Sequence, residues 1–342
     1  MSKTTHIQYA PDLAKAMGIF LVVFGHVLRG LMNAGIVQST AFWLEVDKLI
    51  YLFHMPLFFF LSGLFFRDTL NRRGYTSMIL RNVTVLLIPL VFWSYLQFGM
   101  QYLAAGSTNI SLTLNDVLTA PIPPRQQFWF LWALFKITVL VGALMQFNKS
   151  NLFLGALVVV TSILNLMGYG EIGAQTWGSD IVRNIPYFII GIMGGVRVTA
   201  DYRIGNLAAF FVFILSLFLY SVLDFYPEIT RLATSTLCLL ALYKIVLNYS
   251  NSLTIKGLGA LNRITIFVGM NSMIIYLAHV IFEAGFRALL IKTGVINIPL
   301  HLLGGVAVGM AVPLVLVPFG LRGAKTFPHL FSAILPVRNQ RG

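Results

Sequence analysis

The chain has 342 residues, of which 58% are hydrophobic and 10% charged. So few charges cannot cover that much apolar surface in water, which excludes a soluble domain and marks an integral membrane protein. The net charge of +13 would suggest nucleic acid in a soluble protein, but here the basic residues gather in short connections between apolar runs, so no nucleic-acid partner is expected.

Apolar runs predict helices at 12–33, 49–67, 79–103, 126–147, 151–169, 184–198, 205–223, 228–247, 271–292 and 299–321, about ten spans of near twenty residues. The ten-residue in–out alternation of a barrel is absent. The expected fold is all-α, a polytopic bundle in membrane lipid forming a single domain over 1–342. With the N-terminus inside, Lys3, Arg67, Arg72, Arg73, Lys149, Arg197, Arg203, Lys256, Arg263, Arg322, Lys325, Arg338 and Arg341 are cytoplasmic, and chiefly Lys48, Arg125 and Arg183 lie outside. Both termini are therefore expected in the cytoplasm. The first apolar run is long, interrupted by Lys15 and lacks a small-residue cleavage site, so no cleavable signal peptide is expected. The polar loops 104–125 and 168–180 face outward and are where an external acceptor is expected. The lone cysteine, Cys238, sits in an apolar run and suits packing.

The first helix, 11-PDLAKAMGIFLVVFGH-26, carries ionisable groups inside a span. On a helix Lys15 and His26 lie roughly 20° apart around the axis and roughly 16 Å apart along it, and Asp12 falls near the same face. Asp12 and Lys15 also fit a plain interfacial pair, whereas an intramembrane imidazole is a functional candidate by default. In 53-FHMPLFFFLSG-63, His54 is placed at a depth comparable to His26, while Pro56 and Ser62-Gly63 suit kinking and close packing. Arg81 marks the cytoplasmic end of the third span and Pro89 a kink within it. The fourth opens on 125-RQQFWFLW-132, where Trp129 and Trp132 fit an interfacial belt and Arg125 and Gln126 suit a hydroxylated substrate. In 271-NSMIIYLAHVIFEAGFR-287, Ser272, Tyr276, His279, Glu283 and Arg287 form one polar stripe, the pattern of a helix lining a cavity.

No phosphate-binding glycine loop, dinucleotide fingerprint, metal-spaced Cys/His cluster or serine elbow is found, so no metal is expected. Imidazoles with carboxylates, bases and hydroxyls suit proton abstraction from an alcohol and acyl transfer.

The segments 12-DLAKAMGIFLVVFGH-26, 54-HMPLFFFLSG-63, Arg81 to Pro89, 128-FWFLW-132 and 272-SMIIYLAH-279, taken in order, resemble the membrane acyltransferase-3 family, in particular its fucose 4-O-acetylase-like branch. The family's basic residue, ten residues and histidine match Lys15 and His26. The resemblance implies a ten-helix bacterial inner-membrane enzyme that moves an acyl group, usually acetyl from cytoplasmic acetyl-CoA, to a hydroxyl of a surface polysaccharide, lipopolysaccharide unit or lipid-linked glycan. Lysine replaces the commoner arginine, a point charge in place of a fork, and no SGNH-type domain is expected after the membrane region. On this reading His26 is the general base or transient acyl carrier, with Lys15 and His54 beside it in catalysis. Lys15, Arg81, Arg72 and Arg73 hold the anionic part of coenzyme A. Asp12, Arg125, Gln126, Trp129, Tyr276, His279 and Glu283 contact the acceptor or support the site. A secondary transporter or flippase for a sugar or lipid-linked oligosaccharide is the competing reading; it predicts inverted repeats, which are not found. A non-catalytic scaffold leaves the polar stripes unexplained.

Overall fold

The computed structural model describes residues 9–104, 112–170, 178–201, 204–223, 227–256, 259–326 and 334–336. Residues 105–111 and 171–177 of the two loops expected to face outward lie outside this set, as do Lys3, Arg203, Arg338, Arg341 and the side chains of Arg197 and Lys256. Among the described residues the chain is helical, and its β-type pairing is one isolated bridge, Pro121 to Pro124.

Fourteen α-helices are described: α1 Ala10–Asn33, α2 Ala41–Leu64, α3 Phe66–Arg73, α4 Tyr75–Asn82, α5 Ile88–Leu103, α6 Leu114–Thr119, α7 Trp129–Phe147, α8 Asn151–Leu166, α9 Ser179–Asp201, α10 Asn206–Val222, α11 Pro227–Lys256, α12 Ala260–Met270, α13 Ser272–Lys292 and α14 Gly305–Thr326. Local chemistry sets several ends. Pro11 and Asp12 occupy the first turn of α1, where a missing N–H costs nothing and the helix dipole favours an acid. Ser150 caps α8 by accepting from the Phe153 N–H at 3.2 Å. Thr113 and Asp116 form a capping box on α6. A π-turn, Val83–Leu87, joins α4 to α5 ahead of Pro89; proline has no N–H to give, and the wider turn accommodates the break. A second π-turn, Leu300–Gly304, follows Pro299 and leads into α14.

Among the described residues, seven helical stretches are long and apolar enough to cross a membrane: Ala10–Asn33, Ala41–Arg73, Tyr75–Leu103, Gln126–Phe147, Glu228–Leu253, Ser272–Lys292 and Leu300–Gly323. This is a multi-pass all-α membrane protein. Three expected spans, 151–169, 184–198 and 205–223, fall on α8, α9 and α10; α8 and α10 have only 16 and 17 residues, short for a bilayer crossing. One element lies where sequence periodicity suggests a connection. Residues 260–270 form α12, set off from α13 at Asn271, which is fully buried and donates its side-chain amide to the Phe267 carbonyl at 3.0 Å. Asn262, Arg263 and Thr265 weaken its apolar signal, which hid it.

The chain divides into two compact units. The first comprises Met1–Gly18, Lys48–Leu80 and Lys136–Ile266. Here α8 packs on α9, α10 on α11, and α11 on both α8 and α9. Gly63 of α2 and Gly191 of α9 meet so closely that a Cβ on either would overlap the other helix's backbone, at the Phe188 and Phe60 carbonyls respectively; this is the small-residue packing that membranes favour, where no hydrophobic effect drives helices together. Ser235 of α11 donates to the Leu52 carbonyl of α2 at 2.6 Å, and Tyr75 of α4 to the Val139 carbonyl of α7 at 3.1 Å.

The second unit comprises Ile19–Asp47, Arg81–Phe135 and Phe267–Gly342. Its centre is α13, which packs on α14, on α5 and on the 3-10 turn Gln126–Phe128 that precedes α7. Val27 of α1 lies against Gly305 of α14, and Val23 against Gly309.

Candidate active site

The second unit brings together most of the polar groups that sequence singles out. His26 of α1 and His279 of α13 meet edge to face, with ring centroids 5.1 Å apart. The α13 stripe reaches α1 because small residues stand opposite it: a Cβ on Gly30 would overlap the Arg287 guanidinium, and one on Gly309 would sit 3.7 Å from the Cβ atoms of both His279 and Glu283.

His279 is fully buried. Its Nδ1 lies 3.0 Å from the Ile275 carbonyl and 2.9 Å from that of Tyr276. Two acceptors at one ring nitrogen require that nitrogen to carry the hydrogen, so in the neutral ring Nε2 presents a lone pair. That atom makes no hydrogen bond among the described residues, and neither does Oε2 of Glu283, one turn on and 4% exposed. A buried acceptor left open costs free energy that a bound group would recover. His279 in this tautomer accepts a hydrogen bond or proton and cannot donate to a thioester oxyanion.

Tyr276 is also buried, but its hydroxyl donates to the backbone carbonyl of Gln127, and Phe130 packs edge-on against its ring at 5.6 Å. Its place is to hold α13 against the entry of α7. That entry contains residues sequence reasoning passed over. Gln97 of α5 and Gln127, 1% and 2% exposed, exchange amide hydrogen bonds: Gln127 Nε2 to Gln97 Oε1 at 2.6 Å, with Gln97 Nε2 reaching Gln126 Oε1 at 2.6 Å and Gln127 Oε1 at 3.5 Å. An amide at position 97 inside the apolar run 88–103 was the available signal. Gln126 is exposed and holds φ at +49°, a left-handed conformation that a non-glycine residue adopts under strain.

Arg125 pairs with Asp116 at 2.9 Å and reaches the Thr119 hydroxyl at 3.3 Å, so it braces the segment 112–125. The Thr113 hydroxyl and then Arg125 hold the Asp116 carboxyl well below the usual carboxylate range. Arg29 grips Asp47 with three contacts of 2.8 to 3.0 Å. Trp129 is half-buried, its ring edge-on to Phe130 at 6.3 Å. Arg81 ends α4 and is exposed.

The remaining candidates belong to the first unit. Lys15 donates to Asp12 at 3.0 Å, both half-buried. His54 is 1% exposed; its Nδ1 lies 2.6 Å from the Ile50 carbonyl and its ring packs on Tyr51 at 4.5 Å, so it too presents Nε2 as the acceptor nitrogen. Arg72 and Arg73 are exposed at the end of α3, Arg72 reaching the Asp68 carbonyl at 3.3 Å. Among the described residues no group of three or more His, Cys, Asp or Glu is placed to hold a metal ion.

A family profile described as an acyltransferase domain matches residues 8–317. The chain is 33% identical over 145 residues to nodulation protein NolL of Mesorhizobium japonicum, covering 42% of this chain and 37% of that protein. It is 31% identical over 163 residues to nodulation protein NolL of Sinorhizobium fredii, covering 45% and 42%. The aligned stretch thus spans less than half the length of these curated relatives. No solved structure matches the chain.

Proposed function

Because the chain belongs to the acyltransferase-3 family, we propose that it is a membrane O-acyltransferase of the fucose 4-O-acetylase-like branch, moving acetyl from cytoplasmic acetyl-CoA to a hydroxyl of a cell-surface or lipid-linked glycan in a bacterial inner membrane, with both termini cytoplasmic. The observation that carries the reading is the His26–His279 contact, with the open Nε2 of His279 and the open Oε2 of Glu283 next along the helix.

His26 is the general base. As the acceptor oxygen attacks the thioester carbonyl, its O–H proton passes to the imidazole; the new C–O ester bond forms, the C–S bond breaks, and the proton is returned to the departing thiolate as coenzyme A. His279 and Glu283 stabilise the imidazolium that forms in between, since both offer acceptors and neither is engaged there. Tyr276 positions His279. Lys15, steadied by Asp12, and Arg72, Arg73 and Arg81 bind the phosphates of coenzyme A as point charges and forks. His54 is a further proton acceptor.

Membranes carrying the protein, given acetyl-labelled acetyl-CoA and their own glycans, should transfer label to glycan, and His26→Ala at equal membrane level should not. Label transfer by the His26→Ala protein at the parent's rate would overturn the assignment. A flippase would move glycan without transferring label in either case.

A further inference from the structure

The glutamine cluster at the entry of α7 is unused by the chemistry above, although it is hydrogen-bonded into the site. Gln97 and Gln127 close on each other in the interior, and Gln97 also donates to Gln126. Gln126 is the exposed member: its carbonyl oxygen is engaged by Gln97, and its own NH₂ group belongs to the only non-glycine residue with positive φ among those described. Strain of this kind persists where surrounding contacts over-determine it and concentrates at ligand-binding positions. The register with the imidazoles is fixed by hydrogen bonds. The Gln127 carbonyl accepts from the Tyr276 hydroxyl, and the Tyr276 carbonyl accepts from His279 Nδ1, whose ring abuts His26.

Side-chain amides offer a donor and an acceptor side by side without net charge, which matches neighbouring hydroxyls on a sugar ring and gives nothing to an anion. An aromatic face, Trp129, stands three residues from Gln126, one turn along, within the same chain entry. We infer that Gln126, held by Gln97, is the subsite that binds the acceptor sugar through hydroxyls adjacent to the one acylated, making it a determinant of acceptor specificity. This rests on the acyltransferase reading and names the part of the glycan that the site recognises: a neutral ring with vicinal hydroxyls.

The test uses the full chain purified in detergent and a panel of methyl glycosides differing in the configuration of single hydroxyls. Gln126→Gly removes the amide while suiting the left-handed backbone, so it should fold as well as the parent. It should raise the half-saturating glycoside concentration about tenfold, the worth of one to two lost hydrogen bonds, leave that for acetyl-CoA unchanged, and change the maximal rate less than threefold. Saturable quenching of Trp129 fluorescence by the same glycosides, identified by its loss in Trp129→Phe, should weaken in parallel. Unchanged glycoside saturation in Gln126→Gly, or no saturable quenching by any glycoside, overturns the subsite. Quenching that saturates and weakens as expected while the parent transfers no acetyl supports the subsite and overturns the acyltransferase reading.

Discussion

Two half-buried carboxylates of the first unit and one buried carboxylate of the second meet opposite fates. Asp180 of α9 is closed by Lys136 at 2.7 Å, and Glu228 of α11 by Arg231. Glu283 keeps one oxygen open beside a histidine whose Nε2 is open too. In a bilayer, an ionisable group closed by a partner contributes to structure, whereas an open one is costly unless something binds there. The closed carboxylates thus read as structural, and the open one marks the α1–α13 seam of the second unit as the proposed place of proton transfer.

Substitutions sharpen this contrast. The largest effect is expected at His26: His26→Ala removes the proposed general base and should lower acetyl transfer by about 10²- to 10⁴-fold, read as label in glycan, with little change in melting temperature. Next, Gly63→Ala drives a methyl group into the Phe188 backbone carbonyl; an overpacked interface that cannot yield should cost about 1–3 kcal/mol or more, read as a lower melting temperature in detergent. Gly30→Ala meets only the far end of the Arg287 side chain, which can swing aside, so it should melt close to the parent while losing a few-fold in transfer. Asp180→Asn should cost about 1–3 kcal/mol, since it strands Lys136 in a partly buried site, and leave the acceptor dependence of transfer unaltered. Equal loss of transfer in Asp180→Asn and Glu283→Gln, at matched stability, would erase the distinction between closed and open carboxylates.

The smallest effect concerns pH. Asp116 has its carboxyl lowered in the folded protein by Thr113 and Arg125, so its contribution is fully present above the unfolded value near 4 and fades as pH falls below it toward the depressed folded one. Proteolysis of the segment 112–125 should accelerate only in that acid range, and Asp116→Asn should remove the dependence.

Much of the site was legible because helix spacing is rigid. The α13 stripe and the shared face of Asp12, Lys15 and His26 follow from 3.6 residues per turn, and the depth argument placed His26 where a second imidazole could meet it. Depth suggested His54 as a partner for His26; an imidazole that does meet His26 is that of His279, a neighbour set by the packing at Gly309 and Gly30 that periodicity alone does not reveal. Gln97 and Gln127 escaped notice since single amides in apolar runs carry no periodic signal. Seven of the ten expected spans coincide with helices that, among the described residues, are long and apolar enough to cross, whereas α8 and α10, with 16 and 17 residues, are shorter than a crossing usually needs.

In the proposed mechanism His26 is the group that takes the acceptor's proton. Single-turnover transfer from labelled acetyl-CoA to glycan, followed across pH in the parent, His26→Ala and His279→Gln, tests it directly. The rate should rise with pH as one imidazole loses its proton, with a shifted midpoint in His279→Gln, and should fall about 10²- to 10⁴-fold in His26→Ala. Turnover in His26→Ala with the parent's pH profile would contradict it.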